Sequence, residues 1–168
     1  LVHLEDLAGE RRDQVGDGDT VVFLGDYIDR GLNTKECVET ILAFQRDIKA
    51  AVICLCGNHE DWFLRTLQDY RRNSWIMGME ALDTIRSYSV EAALALREAM
   101  ATAGLRLFEG DCALPYELFV DTMPATHLRF FQELSTYHVT PDCVCAHGGL
   151  EPRVPSLGLQ TRDALLWG

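Results

Sequence analysis

The feature that most limits the fold is a spacing. An apolar β run, TVVFLG at 20–25, is followed by the helical segment TKECVETILAFQRD at 34–47 and then by a second β run, AVICLC at 51–56. Strand, helix and strand at this spacing predict two parallel strands joined by a right-handed crossover, because parallel pairing needs a connection that returns the chain to the same edge. The unbroken apolar character of both runs suits burial on both faces. Thr34 or Asn33 suits the helix cap, where a side-chain oxygen accepts one of the first turn's orphan amides. The fold class is therefore α/β, and 168 residues with 48% hydrophobic composition suffice for a single domain with a real core.

The rest of the chain is mostly helical. Leu1, Leu4, Leu7 and Ala8 recur at helical spacing until Asp17-Gly18-Asp19, so the chain reads as opening partway along an amphipathic helix, its first residue a cut. GDGD at 16–19 imitates part of a calcium loop but lacks the downstream Gly and Glu, and reads as a turn. A helix is expected from Glu60 or Asp61, then a Gly-interrupted stretch around SWIMGME, then a strong helix over 90–104 stopped by Gly104. Pro124 opens the helix ATHLRFFQEL at 125–134, and CVCAH at 143–147 is a third β run. Residues 61–135 thus predict a helical insertion, of the kind that acts as a lid or substrate wall beside an active edge.

Charge and cysteine usage narrow the function classes. A net charge of -11 argues against nucleic acid, which asks for clustered Lys and Arg. It also repels phosphorylated substrates, so a phosphate substrate would need local cations, and bound metal is the obvious supply. None of the six cysteines stands in C-x-x-C spacing. Cys54 with Cys56 and Cys143 with Cys145 lie in apolar runs and read as reduced, buried small hydrophobes, which points to the cytoplasm. No apolar stretch approaches the length of a membrane span, so no membrane partner is expected.

Each β run ends on polar residues next to glycine: Gly25-Asp26, Gly57-Asn58-His59-Glu60 and His147-Gly148-Gly149. In a mostly parallel sheet the carboxyl ends of strands meet at one edge, where ligand crevices form, so residues distant in sequence can converge there. Each residue also has a plainer reading: Asp29 as a turn or cap residue, Asn58 as the start of a helix, His147 as a satisfied core histidine. Singly these are as good as function. Jointly they leave unexplained why all three runs end this way, with glycines that allow close backbone approach.

Three segments, Gly25-Asp26-Tyr27-Ile28-Asp29-Arg30-Gly31, Gly57-Asn58-His59-Glu60 and His147-Gly148-Gly149-Leu150, resemble in order the signature motifs of the phosphoprotein phosphatase family of calcineurin-like metallophosphoesterases. MEALDTIRSYSV, ATHLRFFQEL and the closing RDALLWG are similar to bacterial serine/threonine phosphatases of that family, so the likeness covers nearly the whole chain. It implies a β-sandwich flanked by helices (α/β/β/α), incomplete here and carrying the helical insertion. It also implies phosphate-ester hydrolysis by metal-activated water, with two divalent ions such as Mn, Fe or Zn. The substrate would be a phosphorylated protein or a small phosphate ester.

By that resemblance Asp26 is the carboxylate bridging two ions, and Asn58 and His147 are ligands of the second. His59 is the general acid that protonates the leaving oxygen, Asp29 orients it, and Arg30 and Asn58 bind substrate phosphate. Tyr27, Ile28 and Glu60 read as packing or supporting residues, and His3, His127 and His138 lack motif context. The family's Asp-x-His-Gly segment and its late histidine and arginine lie outside this sequence, so a truncated phosphatase with a weakened metal site and little activity of its own is expected. A dinucleoside tetraphosphate hydrolase of the same superfamily is the nearest rival. A noncatalytic pseudophosphatase that binds a partner is another, against which the intact Asp29, Arg30 and His59 count.

Overall fold

The computed structural model describes residues 15–168; the expected opening helix, His3 included, lies outside them. The chain divides into two compact units. The first takes the chain up to Gly25, together with Glu36–Gly57 and Leu134–Gly168; the second is Asp26–Lys35 with Asn58–Glu133.

The first unit holds the sheets. Strands β1 (Thr20–Phe23) and β2 (Ala51–Cys54) pair in parallel, with Phe23 opposite Cys54, and helix α1 (Thr34–Asp47) connects them. The crossover spacing therefore produced the expected pair, and α1 has the expected bounds. It buries Val38, Ile41 and Phe44, and the Phe44 ring meets Phe23 edge-on at 5.8 Å. The strands are not enclosed on both faces as expected: Val21, Val22, Phe23, Val52 and Ile53 are half-buried. Among the described residues this sheet has only two strands, too narrow to be covered like the centre of a wide parallel sheet.

The third β run corrects a second expectation. Its strand, β4 (Val144–Ala146), does not join β1 and β2 but pairs antiparallel with β3 (Tyr137–Val139), which the sequence reading missed. The Thr140-Pro141-Asp142-Cys143 turn sets this pairing: the amides of Asp142 and Cys143 donate to the Thr140 hydroxyl, and the Thr140 amide donates to the Cys143 carbonyl. An apolar run does not encode its partner, and Tyr-His-Val is too short to advertise itself. In a hairpin with open edges Cys143 is exposed and Cys145 half-buried, whereas Cys54 and Cys56 are buried. None of the six cysteines is in a disulfide, but the expectation of uniform burial fails. GDGD forms the expected turn, with the Asp19 carboxylate accepting from the Gly16 amide.

The second unit is helical. It contains α2 (Asn58–Gln68), α3 (Ser74–Gly78), α4 (Ala81–Tyr88), α5 (Val90–Ala103), the single turns α6 (Arg106–Glu109) and α7 (Glu117–Val120), and α8 (Ala125–Gln132). Ser89 caps α5 by accepting from the Ala92 amide, and Gly104 ends it at φ 54. Gly78 interrupts the pattern for a packing reason, since a Cβ there would lie 2.8 Å from the Trp62 ring. Phe63, Trp75, Tyr116, Phe119 and Phe131 form the core, all of them at most 1% exposed. Back in the first unit, α9 (Arg162–Trp167) packs Leu165 and Leu166 inward, and its cap Thr161 accepts from the Ala164 amide.

Candidate active site

The parallel strands end side by side. A Cβ on Gly25, which sits at φ +101, would fall 2.5 Å from the Gly57 amide nitrogen, so glycine at position 25 is what lets the backbones touch. Asp26 and Asn58 leave the first unit one residue beyond this contact. The loop that starts at Asp26 is unusual: Asp26 (φ 58), Asp29 (φ 69) and Arg30 (φ 53) all hold left-handed conformations, each at a steric cost of roughly 1–2 kcal/mol. Such strain persists only when surrounding interactions over-determine it.

Glu60 supplies much of that determination. It lies in the first turn of α2, is 0% exposed, and its carboxylate accepts from the amides of Asp26 (2.9 Å), Tyr27 (2.7 Å) and Ile28 (3.2 Å). Tyr27 is packed edge-on against Phe130 at 5.3 Å, and Ile28 is buried. Tyr27 and Ile28 are packing residues, and Glu60 anchors the loop they belong to.

Asp29 and His59 are joined as expected. The His59 Nδ1–H donates to Asp29 Oδ2 at 2.8 Å, and both side chains are almost fully enclosed, 4% and 0% exposed. Burial opposes charge on the ring, but the Asp29 hydrogen bond and the negative charges of Asp26 and Asp29 outweigh burial and the repulsion of Arg30. The imidazole pKa is raised above its ordinary 6.5. The carboxylate has two further donors that sequence reasoning missed, Trp75 Nε1–H to Oδ2 at 2.9 Å and Thr84 Oγ1–H to Oδ1 at 2.7 Å. They lie 46 and 55 residues away, in α3 and α4, and nothing in their local pattern marks them.

Asn58 begins α2, as its plainer reading holds, but it does not cap by side chain: its Oδ1 is buried with no hydrogen-bond partner among the described residues. A buried amide oxygen left so costs about 1–3 kcal/mol, unless something outside the protein meets it. Arg30 is exposed and makes no hydrogen bond or ion pair among the described residues. Of the predicted residues, Asp26, Asp29, Arg30, Asn58 and His59 belong to the second unit and His147 to the first. There the Leu24 carbonyl at the end of β1 accepts the His147 Nδ1–H at 2.7 Å, which leaves the ring's lone pair on Nε2. The neighbouring Gly148 amide donates to the Leu165 carbonyl at 2.7 Å, and a Cβ at Gly148 would strike the backbone of α9 at 2.6 Å.

The family model for calcineurin-like phosphoesterases matches residues 2–165. The chain belongs to that family. A comparison with curated proteins found no significant match. Calcineurin-like phosphoesterases generally bind two divalent metal ions and hydrolyse phosphoesters by metal-dependent chemistry. No helix among the described residues is long and apolar enough to cross a membrane.

The donors of this calcineurin-like phosphoesterase fit such ions in kind. The orphaned Asn58 oxygen and the His147 tautomer with its lone pair on Nε2 are what hard and borderline cations accept, and Asp26 adds an exposed carboxylate. Among the described residues no group of three or more His, Cys, Asp and Glu side chains is placed to hold a metal ion; Asn58, as an amide, lies outside that count. His127 is buried with its Nδ1 2.9 Å from the Tyr88 hydroxyl, a core role, and His138 lies half-buried on β3.

Proposed function

We propose that this calcineurin-like phosphoesterase is a phosphatase of the serine/threonine phosphoprotein type, acting in the cytoplasm on phosphorylated proteins or small phosphate esters. The observation that carries this reading is the orphaned Asn58 oxygen one residue before a histidine held by a buried carboxylate. A structural asparagine has no reason to leave its oxygen unmet.

In this reading Asp26 and Asn58 in the second unit and His147 in the first are the residues that would hold divalent ions of the Mn, Fe or Zn class. The ions, when bound, supply an acidified water as nucleophile and offset charge on the phosphoryl group. His59 is catalytic: it carries on Nε2 the proton that the leaving oxygen takes, while Asp29 retains Nδ1–H and so sets which nitrogen delivers. Arg30 offers two parallel N–H donors to phosphate oxygens, and the Asn58 amide N–H is a further donor to substrate phosphate. Gly31 in GDYIDRG and Glu60 in GNHE favour the phosphoprotein phosphatase type.

The test uses the purified chain with Mn²⁺ and three substrates: a phosphoserine peptide, an aryl phosphate and diadenosine tetraphosphate. Both monoesters should turn over slowly, as a weakened metal site requires, His59→Ala should abolish that turnover, and Asn58→Ala should weaken Mn²⁺ binding in titration calorimetry. Preferential cleavage of diadenosine tetraphosphate would replace this reading with the dinucleoside tetraphosphate hydrolase. Binding of Mn²⁺ without turnover of any ester would leave a noncatalytic binding protein.

A further inference from the structure

We propose that Trp75 and Thr84 are positioning residues for proton transfer, clamping the Asp29 carboxylate in the plane from which it holds the His59 ring. The proposal rests on the reading of His59 as the proton donor. The carboxylate accepts three side-chain hydrogen bonds, His59 Nδ1–H and Trp75 Nε1–H on Oδ2 and Thr84 Oγ1–H on Oδ1. The Thr84 oxygen also accepts the Asp29 amide at 2.7 Å, so a single hydroxyl ties both the backbone and the side chain of a residue at φ 69. That hydroxyl has one hydrogen, directed at Oδ1. At its 3.4 Å contact with Thr34 Oγ1 the donor is therefore Thr34, which extends the chain of bonds to the first residue of α1.

Packing does not account for these residue types. Trp75 is 0% exposed among Phe63, Tyr116 and Phe119, with ring centroids 4.8, 6.2 and 6.0 Å away. Phenylalanine would satisfy such a cluster, and valine has nearly the shape of threonine. What the indole and the hydroxyl add is one N–H and one O–H, both directed at the same carboxylate. Because the Asp29 side chain is 0% exposed, bulk water does not replace a lost donor, and a carboxylate short of one can rotate away from the imidazole. The aromatic core of the insertion thereby fixes the direction of a bond that the motif alone leaves free to swing.

The experiment compares Trp75→Phe, Thr84→Val and Thr84→Ser in the full chain. In metal-free protein, NMR follows exchange of the His59 Nδ1–H with water; with Mn²⁺, steady-state kinetics compare an alkyl phosphate, whose poor leaving group needs the acid, with an aryl phosphate, which needs it less. Trp75→Phe and Thr84→Val should each speed Nδ1–H exchange and lower kcat on the alkyl ester by about 10-fold, the usual scale for partners that orient a reacting group. The aryl ester should change far less, KM should hold, and Thr84→Ser should recover most of both losses. Unchanged exchange, equal loss on the two esters, or a serine variant as impaired as the valine would overturn the proposal. If the unsubstituted chain cleaves neither ester, the phosphatase reading fails while the exchange rates still decide the clamp; a Thr84→Val protein that does not fold leaves the decision to Trp75→Phe and Thr84→Ser.

Discussion

Glu60→Gln is the substitution that most directly tests how the active loop is held. The change is nearly isosteric, so packing is kept and only the acceptor pattern is altered. Glu60 Oε1 receives the Tyr27 and Ile28 amides and Oε2 the Asp26 amide. A glutamine does best by keeping its one oxygen on the first pair, which turns its NH₂ toward the Asp26 N–H, donor against donor. One charge-assisted bond worth about 1.5–3 kcal/mol is lost, and the two that remain lose their charge, for a total of roughly 3–4 kcal/mol. With a urea dependence of about 2 kcal/mol per molar for a chain of this size, the unfolding midpoint should fall by about 1.5–2 M. Amide exchange at residues 26–28 should accelerate more than exchange in α5, because the loop loses its anchor while that helix does not. A midpoint within about 0.3 M of the parent, with unaltered exchange at those three amides, would falsify the claim that this carboxylate offsets the loop's left-handed strain.

Three further outcomes follow from the same geometry. In metal-free protein the His59 ring should titrate above 6.5, and Asp29→Asn should bring it down, read by NMR. Because the folded pKa is the higher one, the stabilisation from His59 protonation is complete below 6.5 and is lost as pH rises through the folded value; urea midpoints of parent and Asp29→Asn should converge along that rise. Gly25→Ala should cost roughly 2–4 kcal/mol in urea unfolding, from positive-φ strain and from the clash with the Gly57 backbone; a cost under 1 kcal/mol would show that the strands can part there. Burial pushes the Tyr116 hydroxyl above its ordinary 10, so the folded state keeps this proton while the unfolded state releases it. Stability should therefore fall above pH 10, and Tyr116→Phe should make that alkaline decline shallower.

The candidate site residues stood out because they sit in short contiguous stretches. Asp29 and Arg30 follow β1, His59 and Glu60 open α2, and the glycines beside them announce a backbone that must turn or touch. The β1–α1–β2 unit was equally plain, since a crossover helix between two apolar runs admits few topologies. The β3–β4 pairing was not, because hydrophobicity carries no address, and a hairpin turn rather than the apolar run decided which strand met β4. Nor were Trp75 and Thr84, because nothing in the sequence around either one points to Asp29.

By itself, then, the sequence determined the α/β class, the family and the acid–imidazole pair, all of which depend on local order and short spacing. Only the tertiary structure decided that Glu60 anchors the strained loop, that the Asn58 oxygen is left unmet, and that α3 and α4 converge on one carboxylate. Hydrogen bonds between residues 46 or 55 positions apart have no periodic trace in a sequence; they exist only once burial has brought the donors together and excluded the water that would compete for them.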